Sequence, residues 1–212
     1  ACVDSINGVY MVRKQLRGTD HPVHCQFKTS HPSSIVCSVE TCRQHSDTAT
    51  RSSQAYFLCD HVKSTNFIGT SVTAAPLKEE TLDHIIDALK WLKPERKLEC
   101  FEWKTQASLQ NVPLIVQMPE MPNVSARFLH FSVFGNLKRD HYWSFFKRVI
   151  VSFDKESSAF HCKCCPARRS CMHKCIVKWS IAQSQPSLLG TSVDLSANDD
   201  EIYEDQTTTI AL

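Results

Sequence analysis

The most regular spacing of hydrophobic positions in the chain predicts a helix over residues 76–93. Apolar residues recur there at steps of three and four, which places them on one face of an α-helix. They are Leu82, Ile85, Ile86, Leu89 and Leu92. Pro76 suits the first turn of this helix, and Pro94 disfavours helical geometry at the residue before it.

Short runs rich in β-branched and aromatic residues predict the strands. In the N-terminal part, residues 23–27 and 34–39 form two such runs, and the Ser-His-Pro-Ser segment between them indicates a hairpin. Three further runs predict strands at 113–118, 127–134 and 148–153. Cys100 lies in the alternating run LECFEW and is predicted to be a buried strand residue.

The remaining segments predict a loop, two more helices and a tail. The polar segment 43–54 is predicted to be a loop, and residues 138–146 a short amphipathic helix. After Cys171 the run CMHKCIVKWSIA predicts a helix that ends before Pro186. From residue 183 onward the chain is polar and acidic, so the tail is predicted to be disordered.

Composition narrows the classes of function. Hydrophobic residues make up 42% of the 212 residues, which is enough to bury a core. No run of about 18 apolar residues exists, so we expect no transmembrane helix and no membrane partner. Only five glycines occur, and neither GxGxxG nor GxxxxGK[ST] is present. A nucleotide-dependent enzyme is therefore not expected.

The net charge of +2 is unevenly distributed along the chain. The tail from residue 183 contains six acidic residues and no lysine or arginine, which leaves a charge of +8 on the preceding part. A mildly basic body is compatible with an anionic partner such as DNA or RNA.

Eleven cysteines and ten histidines are the strongest chemical signal. An odd number of cysteines argues against a closed set of disulfides, and the charged N-terminal segment is unlike a secretory signal peptide. Cysteines and histidines at short spacings without an export signal indicate zinc before they indicate disulfides. A secreted disulfide-bonded domain is kept as a third alternative.

The most specific spacing lies in the segment 149–179. Cys162-x-Cys164 is followed, after six intervening residues, by Cys171-x-His173. A C-x-C pair at the end of a hairpin can supply two ligands of a tetrahedral zinc ion, and a C-x-H pair entering a helix can supply the other two. This spacing predicts a zinc site.

The same segment resembles the SWIM-type zinc finger, in which CxC is followed at variable distance by CxH on a β-β-α frame. The resemblance covers about thirty residues, including the hydrophobic strand before the first cysteine. It implies that the zinc ligands are Cys162, Cys164, Cys171 and His173. Cys165 and Cys175 depart from the pattern, because either lies close enough in sequence to substitute for a ligand. Cys175 can equally be a small buried hydrophobic residue.

A looser cluster in the N-terminal part repeats this arrangement. A C-x4-C pair stands where C-x-C stood, and a C-x-H pair follows after a sixteen-residue loop. The predicted ligands are Cys37, Cys42, Cys59 and His61, with Cys25 and His45 as substitutes. The other interpretation is a set of unrelated thiols buried in a β-rich core.

Together the two clusters resemble the cysteine clusters associated with KDZ-type transposases, a set also found in an animal HMG domain-containing protein. That resemblance spans most of residues 9–180, and it implies a nuclear, transposon-derived binding module. Neither an HMG box nor a transposase-like set of spaced carboxylates is found in the sequence, so the resemblance implies little about chemistry.

Both ligand sets fill all four positions of a zinc ion, which is typical of a structural site and not of a catalytic one. We therefore expect no enzyme activity. The predicted fold class is α+β: small zinc-stabilised ββα-type modules flank a helix and a small mixed sheet, and a disordered acidic tail follows. The predicted domains are a Cys/His zinc-cluster module at 9–70, a helix-plus-strand region at 71–147, a SWIM-type finger at 148–182 and the tail at 183–212.

Basic residues around the C-terminal cluster are candidates for phosphate contacts. They are Lys147, Arg148, Lys163, Arg168, Arg169, Lys174 and Lys178. We expect the chain to bind DNA or RNA through them, or to bind a protein partner, in the nucleus. The alternative is a protein-interaction adaptor without affinity for nucleic acid.

Overall fold

The computed structural model describes residues 1–15, 21–27, 35–53, 57–68, 76–87, 90, 92–120, 127–135, 144–166 and 169–189. Within these residues the chain folds into two four-stranded antiparallel sheets and five α-helices. The predicted α+β class is confirmed. The middle sheet was expected to be mixed, but each described neighbouring pair of its strands is antiparallel.

The first sheet, sheet A, is built from the N-terminal residues in the order of the chain. Its strands are β1 (Cys2–Asp4), β2 (Val9–Val12), β3 (Val23–Gln26) and β4 (Val36–Cys37). The predicted hairpin is confirmed as the β3–β4 pair, in which Cys25 lies opposite Cys37. Strands β1 and β2 were not predicted, because three or four residues are too few to show a period.

The second sheet, sheet B, also follows the order of the chain. Its strands are β5 (Ile115–Gln117), β6 (Phe128–Phe134), β7 (Arg148–Asp154) and β8 (Ala159–Cys162). The three strands predicted in this region are confirmed as β5, β6 and β7. Strand β8 forms the hairpin that carries the C-x-C pair.

The helices surround the two sheets. They are α1 (Glu40–Arg51), α2 (Asp60–Lys63), α3 (Glu79–Asp87), α4 (Arg96–Leu109) and α5 (Met172–Ser184). Two short 3₁₀ helices follow α2 and α5, at Ser64–Phe67 and Pro186–Leu189. Helix α5 is the one that was predicted after Cys171.

Helix α1 shows that the prediction of a loop over 43–54 was wrong. None of its residues is buried, so the sequence has no apolar stripe that would reveal a helix. Polar pairs at helical spacing support it instead. Glu40 in the first turn pairs with Arg43 and accepts a hydrogen bond from Gln44.

Two further elements differ from their predictions. Among the described residues, helix α3 occupies Glu79–Asp87 of the predicted 76–93, so Pro76 lies before its first turn. Cys100 is buried, as expected, but it lies on helix α4 and not on a strand. The alternating run around Cys100 is only six residues long, and in the longer helix Cys100 and Ala107 share the buried face.

The C-terminal boundary of the fold also differs from the prediction. Residues 183–189, assigned to the disordered tail, continue helix α5 and form a 3₁₀ helix whose Leu189 is buried in the core. The side chain of Gln183 accepts a hydrogen bond from the backbone N–H of Lys78 and donates one to the carbonyl of Pro76. Hydrogen bonds of this kind cannot be predicted from the polar composition of the segment, which indicated disorder. Residues 190–212 lie outside the described residues.

The predicted helix 138–146 lies mostly outside the described residues as well. Its last two residues are not helical, because Phe145 bridges to Arg148 and Phe146 has a positive φ of 57°. These two aromatic rings are partly buried and tilted against each other.

Sheet B lies at the centre, with helices α3, α4 and α5 on one of its faces. Alternate residues of β6 and β7 form the main core with α5: Leu129, Phe131, Val133, Val149, Val151 and Phe153. Trp179 of α5 is fully buried among them, and its indole N–H donates to the carbonyl of Lys78 at 2.8 Å. The C-terminal cluster therefore borders the largest core of the molecule.

Sheet A packs against the opposite face of sheet B. Part of this interface is apolar, with Val9 and Met11 packed on Val116. Much of the rest is polar: His24 Nε2 lies 2.8 Å from Ser132 Oγ. The two sheets therefore share an interface, although the predicted domain boundary at residue 70 assigns them to different domains.

A buried arginine completes this polar interface. Arg148 is 1% exposed, and its guanidinium donates to Ser132 Oγ, to the carbonyl of Ser132 and to the carbonyl of Pro113. Burial lowers the pKa of Arg148 to about 10, and the nearby Asp4 carboxylate opposes that shift. The hydrogen bonds compensate for the lost hydration of the charge.

Candidate metal centres

The C-terminal cluster consists of the residues that the C-x-C and C-x-H pairs predicted. The structure brings together Cys162, Cys164, Cys171 and His173, whose four ligand atoms all lie within 4.8 Å of one another. Cys162 Sγ and Cys164 Sγ are 3.1 Å apart, and Cys164 Sγ is 3.3 Å from His173 Nδ1. Strand β8 supplies the first cysteine, and the start of α5 supplies the C-x-H pair.

Local geometry explains why these two pairs meet. Cys171 is the N-cap of α5 and has an extended backbone, so His173 in the first helical turn lies close to it. His173 is 4% exposed, and its ring lies edge-on to Trp103 of α4 with centroids 5.1 Å apart. This contact packs the imidazole ring against helix α4.

The thiols of this cluster are crowded enough to perturb one another. Hydrogen bonds from Cys164 and Cys171 lower the pKa of Cys162 to about 3. Hydrogen bonds with Cys162 and Cys171, together with burial, raise the pKa of Cys164. A set of thiols that shares protons in this way favours a divalent cation, which stabilises all of the thiolates together.

The two substitute cysteines lie outside this set. Cys165 Sγ donates to the carbonyl of Arg169 at 3.5 Å, and Cys165 is not among the four clustered residues. Cys175 is fully buried in the main core, with its sulfur 3.6 Å from Ser170 Oγ. Cys175 is therefore a small buried hydrophobic residue, the second of its two predicted roles.

This geometry predicts different results for two adjacent cysteines. Cys164→Ser should lower the zinc content by about one ion per chain, because Cys164 Sγ lies within the four-atom set. Cys165→Ser, its matched control, should leave the zinc content unchanged. Elemental analysis of both purified variants tests this, and the reverse pattern would assign the site to Cys165.

The N-terminal cluster also contains the predicted residues. The structure brings together Cys37, Cys42, Cys59 and His61, again with all four ligand atoms within 4.8 Å of one another. Cys42 Sγ lies 3.5 Å from His61 Nδ1. The residues come from the end of β4, the first turn of α1 and the start of α2, so this cluster joins three short elements.

A backbone carbonyl orients His61. Its Nε2 lies 2.8 Å from the carbonyl oxygen of Lys14, which can only accept a hydrogen bond. The proton therefore resides on Nε2, and Nδ1 presents its lone pair toward Cys42. This is the arrangement that holds metal-binding histidines in the correct tautomer. This contact could not be predicted from the sequence, because every residue type has a backbone carbonyl.

The two substitutes for the N-terminal set take other positions. Cys25 is fully buried, 3.8 Å from Cys37 Sγ, and lies behind the cluster within the small core of sheet A. His45 is exposed on α1, with its ring edge-on to Phe57. Neither belongs to the four-atom set.

Crowding also affects the N-terminal thiols. The neighbouring Cys25 thiol and burial raise the pKa of Cys37 to about 12, against an opposing contact from Cys59. Contact with Cys37 and burial raise the pKa of Cys59 to about 12. A metal ion that binds here must therefore displace thiol protons.

The dimensions of both clusters fit a tetrahedral zinc ion. Ligands about 2.1–2.3 Å from Zn²⁺ are roughly 3.6 Å from one another in a tetrahedron. The contacts of 3.1, 3.3 and 3.5 Å are close to that value. Three thiolates and one imidazole occupy every position of such an ion and leave none for water. None of the eleven cysteines forms a disulfide in the structure.

The basic residues near the C-terminal cluster fall into two groups. Arg148 and Lys174 are buried and have structural roles, since the Lys174 ammonium donates to the carbonyls of Pro166 and Arg169. Lys147, Lys163 and Arg169 are exposed, and Lys178 is partly buried with its ammonium 5.8 Å from the centre of the Phe160 ring. Arg168 lies outside the described residues.

Comparisons with models of protein families, with curated proteins and with solved structures found no match for this chain. The likeness to SWIM-type fingers and to KDZ-associated clusters therefore stays a resemblance of motifs. The part of the chain that the structure describes contains no helix of the length and apolarity needed to cross a membrane.

Proposed function

We propose that this protein is a zinc-dependent binding module in which two structural zinc ions support a surface for nucleic acid. The observation that carries the proposal is the pair of four-residue clusters, each with all of its ligand atoms within 4.8 Å. Each cluster connects the end of a strand to the start of a helix, which is a role of a structural zinc ion in a small domain. Four protein ligands at each site favour a structural metal and no catalysis.

Exposed positive charge supports nucleic acid as the partner. Lys147, Lys163 and Arg169 are exposed, and the part of the chain before residue 183 has a net charge of +8. Lysine and arginine supply most contacts to phosphates. The nuclear location and the origin from a transposon rest on the resemblance to KDZ-associated clusters.

Binding to an oligonucleotide should weaken as salt increases. Phosphate contacts release counterions, so we expect the logarithm of the association constant to fall with the logarithm of salt with a slope of about −2 to −4 for duplex DNA. Fluorescence anisotropy with a labelled oligonucleotide measures this slope.

Two variants and one control connect this slope to the surface. The variants Lys147→Gln and Arg169→Gln should each reduce the magnitude of the salt slope by about 0.9. Lys78→Gln should leave the salt slope unchanged. Lys78 is exposed and precedes helix α3 in the layer of helices, and it is not one of the candidate phosphate contacts. A wild-type protein that binds no DNA or RNA at low salt would exclude nucleic acid.

Exposed apolar side chains near the N-terminal cluster favour a second function, that of a protein-interaction adaptor. Phe67 is 88% exposed in the 3₁₀ helix after α2, and Leu58 next to Cys59 is 38% exposed. Exposed apolar residues of this size are common at protein interfaces. The adaptor becomes the leading function if the zinc-loaded protein fails to bind every oligonucleotide.

A further inference from the structure

A small open cavity lies where the two sheets meet, next to the C-terminal cluster. Its volume is about 150 Å³. The residues that line it are His21, Ile150, Ser152, His161, Cys162 and Lys163. It is therefore bounded by one residue that precedes strand β3 of sheet A, by the middle of β7 and by the C-x-C turn. Neither the metal ligation nor the core explains why basic side chains collect here.

Strand geometry places two of these side chains in the cavity. His161 pairs with Ser152 across the β7–β8 ladder, and Cys162 pairs with Val151. Since side chains alternate along a strand, His161 faces the side of sheet A while Cys162 joins the core on the helical side. Lys163, one residue beyond β8, also lines the cavity. Cys162 therefore belongs both to the metal cluster and to the cavity wall, whereas His161 and Lys163 belong to the cavity wall alone.

The cavity offers hydrogen-bond donors and positive charge. Lys163 is exposed, and within the residues that the structure describes it forms no ion pair or hydrogen bond. Burial lowers the pKa of His24 and of His130, and the charges of Lys163 and Arg13 add smaller contributions to these two shifts. The nearest buried carboxylate of β7, Asp154, is already paired with Arg127.

We propose that this cavity, named here the phosphate pocket, binds a backbone phosphate of a nucleic acid through Lys163 and His161. The inference rests on the proposed function and locates its main contact. The Lys163 ammonium supplies charge, and the His161 ring lies beside it with an N–H to donate. A volume of about 150 Å³ accommodates a phosphate group.

A metal ion is a poorer occupant of this pocket than a phosphate. Among the described residues, the histidines of the pocket do not form a group of three ligand atoms close enough to hold an ion. His21 Nδ1 and His130 Nδ1 both lie 2.8 Å from Ser152 Oγ, which satisfies that hydroxyl group. An ammonium group in the wall also repels a cation.

The test measures oligonucleotide affinity of the full chain loaded with zinc. Lys163→Gln should weaken binding about fivefold at 0.1 M salt and reduce the magnitude of the salt slope by about 0.7, the effect of one lost contact on a single strand. His161→Ala should weaken binding further when combined with it. Lys163→Arg, which keeps the charge, should restore binding, and Lys78→Gln controls for loss of one charge elsewhere.

Zinc content must be equal in all of these variants, because Lys163 lies between two ligands. If Lys163→Gln and Lys78→Gln bind the oligonucleotide with equal affinity while the wild type binds it with a salt-dependent affinity, the phosphate pocket is not the binding site. The proposed function is not contradicted by that result. If the wild type binds no oligonucleotide, both are wrong. Restored binding in Lys163→Arg would exclude loss of fold as the cause of the weaker binding.

Discussion

Replacing Cys171 and His173 by alanine should lower the zinc content from about two ions per chain to about one and unfold the helical half of the molecule. The reason is that this cluster fixes the start of α5 to the end of β8. Helix α5 supplies Trp179 and Ile176 to the main core, so its release exposes the largest buried surface of the chain. Binding of structural zinc contributes about 10–16 kcal/mol in zinc-finger peptides.

The measurements are elemental analysis and circular dichroism with and without a chelator. The double variant Cys165→Ala, His84→Ala is the matched control, because it removes a cysteine and a histidine that lie outside both clusters. The N-terminal variant Cys59→Ala, His61→Ala should also lose about one ion. A wild-type protein that is reduced, folded and free of zinc would contradict the assignment of both sites.

Acidification should destabilise the interface between the two sheets. His24 is fully buried against Ser132, and burial, reinforced by Arg148 and Lys163, lowers its pKa from 6.5 to about 3. Below pH 6.5 the unfolded chain therefore binds a proton that the folded chain does not bind. The stabilisation is complete above pH 6.5 and decreases as the pH falls, by about 1.4 kcal/mol per pH unit until the folded state is protonated near pH 3.

The variant His24→Gln should lose this part of the pH dependence. We expect its stability relative to wild type to rise by about 3 kcal/mol between pH 6.5 and pH 4, measured by urea unfolding at a series of pH values. Loss of metal in acid affects both proteins equally and cancels in the comparison. His84→Gln, a change at an exposed histidine of α3, should follow the wild type. Parallel curves for His24→Gln and wild type would show that His24 does not control the acid sensitivity.

Much of the fold followed from periodicity, and the failures have a common cause. Helix α3, with Leu82 and Ile85 on its apolar face, was predicted from the period of its hydrophobic residues, and strands β6 and β7 were predicted from runs of β-branched and aromatic residues. Helix α1 was not predicted because none of its residues is buried. The ordered structure of residues 183–189 was not predicted because Gln183 forms hydrogen bonds with residues 105 and 107 positions away in the sequence. Neither feature leaves a pattern in the local sequence.

The residues of the two candidate metal centres could be predicted from the sequence, because ligand pairs two to five residues apart come together in almost any compact turn. Only the tertiary structure decided between Cys164 and Cys165, oriented His61 with the carbonyl of Lys14, and buried Lys174 while it left Lys163 exposed. Each of these outcomes depends on which distant segments pack against the site. Spacing in the sequence fixes which ligands are near one another, and packing of distant segments fixes which groups face the metal, the core or the solvent.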